Sequence, residues 1–385
     1  MHNTPDASRA TPLPALRPET TPGPVLEVND LSVAFARPDG RLGLAVENVG
    51  FRVYAGQTVC LVGESGCGKS VTALSVPRLL PEPPARIVGG QILFQGQNLF
   101  AMPEAGLQEV RGNGIGMVFQ DPMSSLNPVM RIGAQISEVL VRHKKLEGKA
   151  AMARAVALLD RVGFADPGLR VRDYPHQMSG GQRQRVMIAS ALACDPALII
   201  ADEPTTALDV TIQKQILDLL LRLVREAGSG LLLISHDLAL VAECADVVAI
   251  MYAGTIVEQG SAAEVFNSPL HPYTQGLLLS REGMKQGRPV FAGQEEAVPS
   301  TAAGKSRLTA IPGTVPGLWE RPEGCAFSPR CSKAMPECFT SRPPVVPVAP
   351  VSPAAPASPT APVAPGTPLP GFPAPARTVA CWLSM

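Results

Sequence analysis

Gly63-Glu64-Ser65-Gly66-Cys67-Gly68-Lys69-Ser70 fits the spacing G-x-x-x-x-G-K-[ST], and the reading of the whole chain works outward from it. Gly63, Gly66 and Gly68 let the backbone curl, so that N–H groups along Ser65, Gly66, Cys67 and Gly68 face one cluster of phosphate oxygens. The N-terminus of a following helix adds positive potential there. Lys69 then reaches the outer phosphates, and the Ser70 hydroxyl serves Mg²⁺. The flanks agree: Thr58-Val59-Cys60-Leu61-Val62 reads as a buried strand, and Val71 to Leu80 begins a helix, which Pro77 is expected either to bend or to shorten. The stretch implies a nucleotide site.

Length and composition bound the rest. With 385 residues and ample apolar content, the chain has room for about two domains. Lys+Arg 33 balances Asp+Glu 33, so the basic footprint of a nucleic-acid binder is missing. No apolar run approaches a membrane span and the first residues lack a signal-type apolar core, which places the site in the cytoplasm unless a partner carries it to a membrane. Eight cysteines are too few and too unevenly spread for a disulfide scaffold.

Residues 1–24 are rich in Pro, Thr and Ala without periodicity and read as a disordered lead-in. Val25-Leu26-Glu27-Val28, Leu31 to Phe35 and Val46 to Tyr54 alternate like strands around a Pro38-Asp39-Gly40 turn, an antiparallel opening ahead of the phosphate loop. Phe35 is either a core aromatic or a platform for an adenine ring. Gly90 to Phe94 and Ile115 to Phe119 are further strands, the second ending in Gln120-Asp121-Pro122. Ile132 to Val162 carries helical spacing.

Two acidic and two polar landmarks follow. Ser179-Gly180-Gly181-Gln182 precedes a helical run from Val186 and is either an ordinary helix cap or a second anion-receiving turn. Ala197 to Ala201 is a buried parallel strand that delivers Asp202 and Glu203 to the sheet edge, where Asp202 would hold Mg²⁺ and Glu203 would polarise an attacking water. Leu231 to Ser235 is another such strand and ends in His236, either structural or a contact to a γ-phosphate.

Taken together, these residues resemble the nucleotide-binding subunits of ABC transporters over about Val25 to Leu279. The match comprises the phosphate loop, Gln120 as Q-loop, Ser179-Gly180-Gly181-Gln182 as signature, Asp202 and Glu203 as the second acidic motif, Ala207-Leu208-Asp209 as D-loop and His236 as switch histidine. The resemblance implies an α/β fold, an ABC-type P-loop ATPase domain with a mixed-sheet core, an antiparallel β subdomain and a helical subdomain. It implies Phe35 as the adenine-stacking residue, and Mg²⁺ served by Ser70, Gln120 and Asp202. It also implies head-to-tail pairing, each ATP lying between one subunit's phosphate loop and the other's Ser179 signature. The partners are thus a second ATPase, identical or paralogous, two transmembrane permease subunits and, indirectly, an extracytoplasmic solute-binding protein, with this chain at the inner membrane face and no nucleic acid.

Phe119 to Pro128, Thr205 to Gln213 and His271-Pro272-Tyr273-Thr274 look like the dipeptide, oligopeptide and nickel importers, and the tail Gly324-Cys325-Ala326-Phe327-Ser328-Pro329-Arg330-Cys331 favours peptides over nickel. A non-transport ABC ATPase acting in DNA repair or on ribosomes is the rival reading. The expected divisions are 25–280 for the ATPase, 281–342 for the extension, 343–375 for a Pro/Ala-rich linker and 376–385 for a last segment. Cys325, Cys331 and Cys338 fall within fourteen residues and Cys381 follows the linker. Four thiolates suit zinc or an iron–sulfur cluster, or stay free; the resemblance implies a [4Fe–4S] cluster. Loop closure costs little more for a longer loop, so the linker need not keep Cys381 away. Cys67, at a helix N-terminus, is expected to be either inert or a thiol of lowered pKa.

Overall fold

A computed structural model describes residues 23–206, 208–280, 311–349 and 376–384. The lead-in over 1–24, Ala207 of the D-loop and the linker over 343–375 therefore lie wholly or partly outside the described residues.

Among the described residues twelve strands form two sheets: β1 (Leu26–Ala36), β2 (Leu42–Val53), β3 (Thr58–Val62), β4 (Ala85–Phe94), β5 (Gln97–Asn98), β6 (Ile115–Val118), β7 (Leu198–Asp202), β8 (Gly230–Ser235), β9 (Val247–Tyr252), β10 (Thr255–Ser261), β11 (Val346–Pro347) and β12 (Thr378–Val379). The smaller sheet has the order β2-β1-β4-β5 and is antiparallel. Its long strand β1 joins the two alternating runs of the sequence through register shifts between Val28 and Leu31, where Asp30 takes φ 51°. The larger sheet has the order β11-β12-β10-β9-β3-β8-β7-β6. Its centre, β9-β3-β8-β7-β6, is parallel and its β10 edge antiparallel. Every residue of β3 and β7 is buried, as expected of apolar strands covered on both faces.

One core cluster lies on each side of this sheet. Alternate residues of β3 go to opposite sides: Cys60 and Val62 join the helical side, Val59 and Leu61 the side of the antiparallel sheet. The helical spacing of Ile132 to Val162 resolves into helices Ile132–Lys144 and Gly148–Arg161, separated at Lys145, which takes φ 53°. Of the two effects expected of Pro77, shortening is the one found. The helix after the phosphate loop, Lys69–Ser75, ends at Val76 instead of bending, because proline supplies no N–H to continue it.

The chain beyond the ATPase domain is stitched to it. β12 pairs with β10 through Glu258↔Val379, and β11 pairs with β12. A fully buried ion pair, Arg377 to Glu258 at 3.9 Å, fixes the last segment, and Glu258 also accepts from the Leu270 and His271 N–H groups. Phe327 packs on Tyr252 and Tyr273, with ring centroids 5.2 and 5.3 Å away.

Candidate functional site

Strand register brings the motifs together. Val62 of β3 faces Ser235 of β8, Ile234 of β8 faces Asp202 of β7, and Ala201 of β7 faces Val118 of β6. Parallel neighbours lie about 4.8 Å apart. The residues that leave these strands, Gly63, His236, Glu203 and Gln120, therefore emerge at one edge of the sheet. Above them is a cleft of about 560 Å³, lined by Phe35, Ser65, Gly66, Gly68, Lys69, Ser70, Gln120 and Glu203. That size suits a nucleotide.

The phosphate loop needs its glycines for definite reasons. Gly66 and Gly68 take φ 79° and 106°, which side chains with a Cβ resist. Lys69, only 4% exposed, donates from Nζ to the carbonyls of Gly63 (2.8 Å) and Glu64 (3.0 Å) and stands 3.9 Å from Glu203. Ser70 Oγ donates to Asp202 Oδ1 at 2.9 Å. Burial raises the Asp202 carboxyl above its ordinary pKa, Ser70 and Lys69 pulling against it. A buried carboxylate beside a hydroxyl is the donor set a hard cation takes, so Ser70 and Asp202 fit Mg²⁺. Gln120 lines the same cleft and donates from Nε2 to Glu203 Oε2 at 3.4 Å.

Glu203 is the hub of the acidic end. Its Oε2 accepts from Thr206 Oγ1 (2.9 Å) and lies 3.2 Å from His236 Nδ1. Glu203 also takes φ 43°, a conformation that costs a residue with a Cβ about 1–3 kcal/mol. The strain re-aims the side chain from the end of β7 into the cleft.

Cys67 follows the inert one of its two readings. Its thiol is 1% exposed, and burial raises its pKa despite Lys69 nearby, so the helix terminus does not make it a reactive thiolate.

Signature and phosphate loop stay apart. Ser179 caps the helix Gly180–Ala191 in a reciprocal box, Oγ accepting from Gln182 N–H and Gln182 Oε1 from Ser179 N–H. Gly180 and Gly181 pack against Leu208 and Ile212, on either side of Asp209, which begins the helix Val210–Ala227. Among the described residues no hydrogen bond or ion pair links Ser179–Gln182 to 63–70.

Seven contributors escaped the sequence reading. Tyr273 OH accepts the Glu64 N–H at 3.0 Å; the residue stood in a quoted motif without a role. Arg330 reaches both Glu64 carboxylate oxygens, at 3.1 and 3.0 Å, and the Pro312 carbonyl at 2.8 Å. Thr206 holds Glu203, as above. Leu318 and Trp319, with Pro316 and Arg321, line the cleft from the extension. No local pattern marks these last residues.

Cys325, Cys331, Cys338 and Cys381 share one neighbourhood. Burial raises the thiol pKa of Cys325, Cys331 and Cys381, and each feels the charge of one or two of the other cysteines. Yet among the described residues no three His, Cys, Asp or Glu side chains are grouped to hold a metal ion. The tail brings Cys381 back, as loop-closure reasoning allows, without a ready ligand set.

Comparison with known proteins follows the same outline. Residues 46–206 match the family described as ABC transporter, and 257–295 and 295–338 match the oligopeptide/dipeptide transporter C-terminal region. The oligopeptide transport ATP-binding protein OppD of Bacillus subtilis is 48% identical over 321 residues, 83% of this chain and 85% of its own. Among solved structures, the dimeric ATP-binding cassette MJ0796 in a post-hydrolysis state with ADP and Pi aligns with a TM-score of 0.54 at 25% identity, covering 61% of this chain and 97% of that one. The cbiO1 protein of Clostridium perfringens, part of the transporter complex cbiONQ, aligns at 0.55 and 28%, covering 64% and 91%.

Proposed function

The chain belongs to the ABC transporter family, in its oligopeptide/dipeptide branch, and from that premise we propose how its own residues run the cycle. It is the ATP-hydrolysing subunit of a peptide importer. The observation that carries this reading is the convergence of phosphate loop, Asp202, Glu203 and His236 at one sheet edge.

Lys69 and the loop N–H groups hold the triphosphate. Ser70 and Asp202 hold Mg²⁺, which when bound offsets phosphate charge. Glu203 accepts a proton from the attacking water and orients it toward the γ-phosphorus, while His236, 3.2 Å from Glu203, donates to the phosphate oxygen that gains charge. Thr206 and His236 fix the carboxylate beforehand, so little reorganisation remains for the reaction itself. Phe35 stacks on the base.

One chain leaves the site half built, because Ser179–Gln182 lies apart from its own phosphate loop. The reading supported is a sandwich in which the partner ATPase presents its signature to this cleft; the MJ0796 cassette that this chain resembles was solved as a dimer with ADP and Pi. The partner is a second copy or a paralogue, and two permease subunits receive the motion through the region around Gln120. No described helix is long and apolar enough to cross a membrane, and in this reading the chain meets the bilayer through those permeases, at the cytoplasmic face.

The [4Fe–4S] reading of the four cysteines is a separate proposal, supported by their shared neighbourhood and opposed by the missing ligand grouping. No step of hydrolysis passes through it. Iron and acid-labile sulfide that copurify with the chain and vanish in Cys325→Ser support it; a metal-free parent chain ends it.

Glu203→Gln tests the ATPase assignment. ATP binding persists while turnover falls about 10²–10⁴-fold. Undiminished hydrolysis would refute the role of Glu203.

A further inference from the structure

We infer that Trp319, carried by the C-terminal extension, is a second base-contacting residue of the nucleotide site, working with Phe35. The inference deepens the proposed ATP site and rests on it.

Phe35 on β1 pairs directly with Gly43 on β2. Opposite residues of an antiparallel pair present their side chains to the same face. The space into which a Gly43 side chain would point is occupied by the extension: an added Cβ would lie 2.6 Å from Trp319 Nε1 and 2.8 Å from Leu318 Cγ. Phe35 and Trp319 thus stand on the same face of the sheet, and both line the cleft. Trp319 is 44% exposed, so an indole face is open to a ligand. Arg37 covers the ring with its guanidinium 4.2 Å from the centroid, which holds the indole in orientation.

The wall is built, not incidental. Arg321, two residues on, donates to Glu47 at 3.4 Å and to the Ala45 carbonyl at 3.3 Å, and Arg342 reaches the same Glu47 carboxylate. These bonds clamp the segment Pro316–Arg321 onto β2. The phosphate loop lines the same cleft, so a nucleotide with its triphosphate on Lys69 has its base within the space that Phe35 and Trp319 also line. Aromatic stacking of this kind tolerates any base and acts on affinity, leaving phosphate chemistry untouched.

The test uses the full-length chain and calorimetry with Mg²⁺ plus ATP, ADP or inorganic tripolyphosphate. Trp319→Ala is expected to weaken ATP and ADP about tenfold and leave tripolyphosphate within twofold, while Trp319→Phe retains most of the affinity. Gly43→Ala, which pushes the indole away without removing it, is expected to match Trp319→Ala. In Trp382→Phe, where Trp319 is the remaining tryptophan of the chain, ATP and ADP are expected to shift the emission saturably and tripolyphosphate to leave it unchanged. Unaltered ATP affinity in Trp319→Ala overturns the inference, as does an equal loss for ATP and tripolyphosphate, which marks a structural role. Absence of ATP binding in the unaltered chain overturns instead the nucleotide-site reading beneath it.

Discussion

Replacing Arg330 by Met removes a guanidinium that ties the extension to the phosphate loop. Arg330 is 6% exposed at its side chain and Glu64 30%, and the two meet through both carboxylate oxygens. A hydrogen bond to a charged group contributes about 1.5–3 kcal/mol, and breaking a fully buried pair costs about 3–5. Glu64 regains water on its exposed third, so the lower end applies and the pair is worth about 2 kcal/mol of coupling. A double-mutant cycle of Arg330→Met and Glu64→Gln, followed by chemical denaturation, reads that number directly. Because Glu64 also gives its N–H to Tyr273 and its carbonyl to Lys69, the single variants should raise the KM for ATP severalfold with a smaller change in kcat. A coupling energy below about 0.5 kcal/mol, with KM unchanged, would refute the idea that the extension braces the loop.

Burial depresses the His271 pKa from its ordinary value to about 3. The unfolded chain then takes up a proton below about pH 6.5 that the folded chain refuses, so stability falls with falling pH, by up to about 1.4 kcal/mol per unit until the folded pKa is reached. His271→Asn keeps an acceptor for the Tyr273 N–H and should flatten this slope between pH 6.5 and 5.5 in denaturation curves; identical slopes would count against it. Ser179→Ala removes a helix cap and should cost about 1 kcal/mol of stability by denaturation. Ser179→Arg in the Glu203→Gln background should bind ATP yet fail to form the ATP-dependent dimer on size exclusion; an intact dimer would place the signature outside the interface.

Much of the site was legible because its chemistry sits in short runs whose spacing and flanking strands can be read locally. The phosphate loop, Asp202-Glu203 and His236 each follow an apolar strand, and parallel register does the rest. What escaped depends on contacts between distant segments. Trp319 and Arg330 carry no periodic signal, and their partners Gly43 and Glu64 lie at the opposite end of the chain. Cys67 was open in sequence for another reason: a helix N-terminus lowers a thiol pKa, but a thiol at 1% exposure is governed by desolvation, and burial is visible only in the fold. Pro77 was recognised as a helix disruptor, yet propensity alone does not distinguish a kink from an end, and here the helix ends.

The most direct test of the central claim is peptide uptake by cells lacking this chain and supplied with either the parent or Glu203→Gln at equal levels. The account predicts that the parent restores uptake while the variant, though bound to ATP and associated with the permease subunits, restores none. Full uptake with Glu203→Gln would contradict it, since import would then proceed without the hydrolysis this site is built to perform.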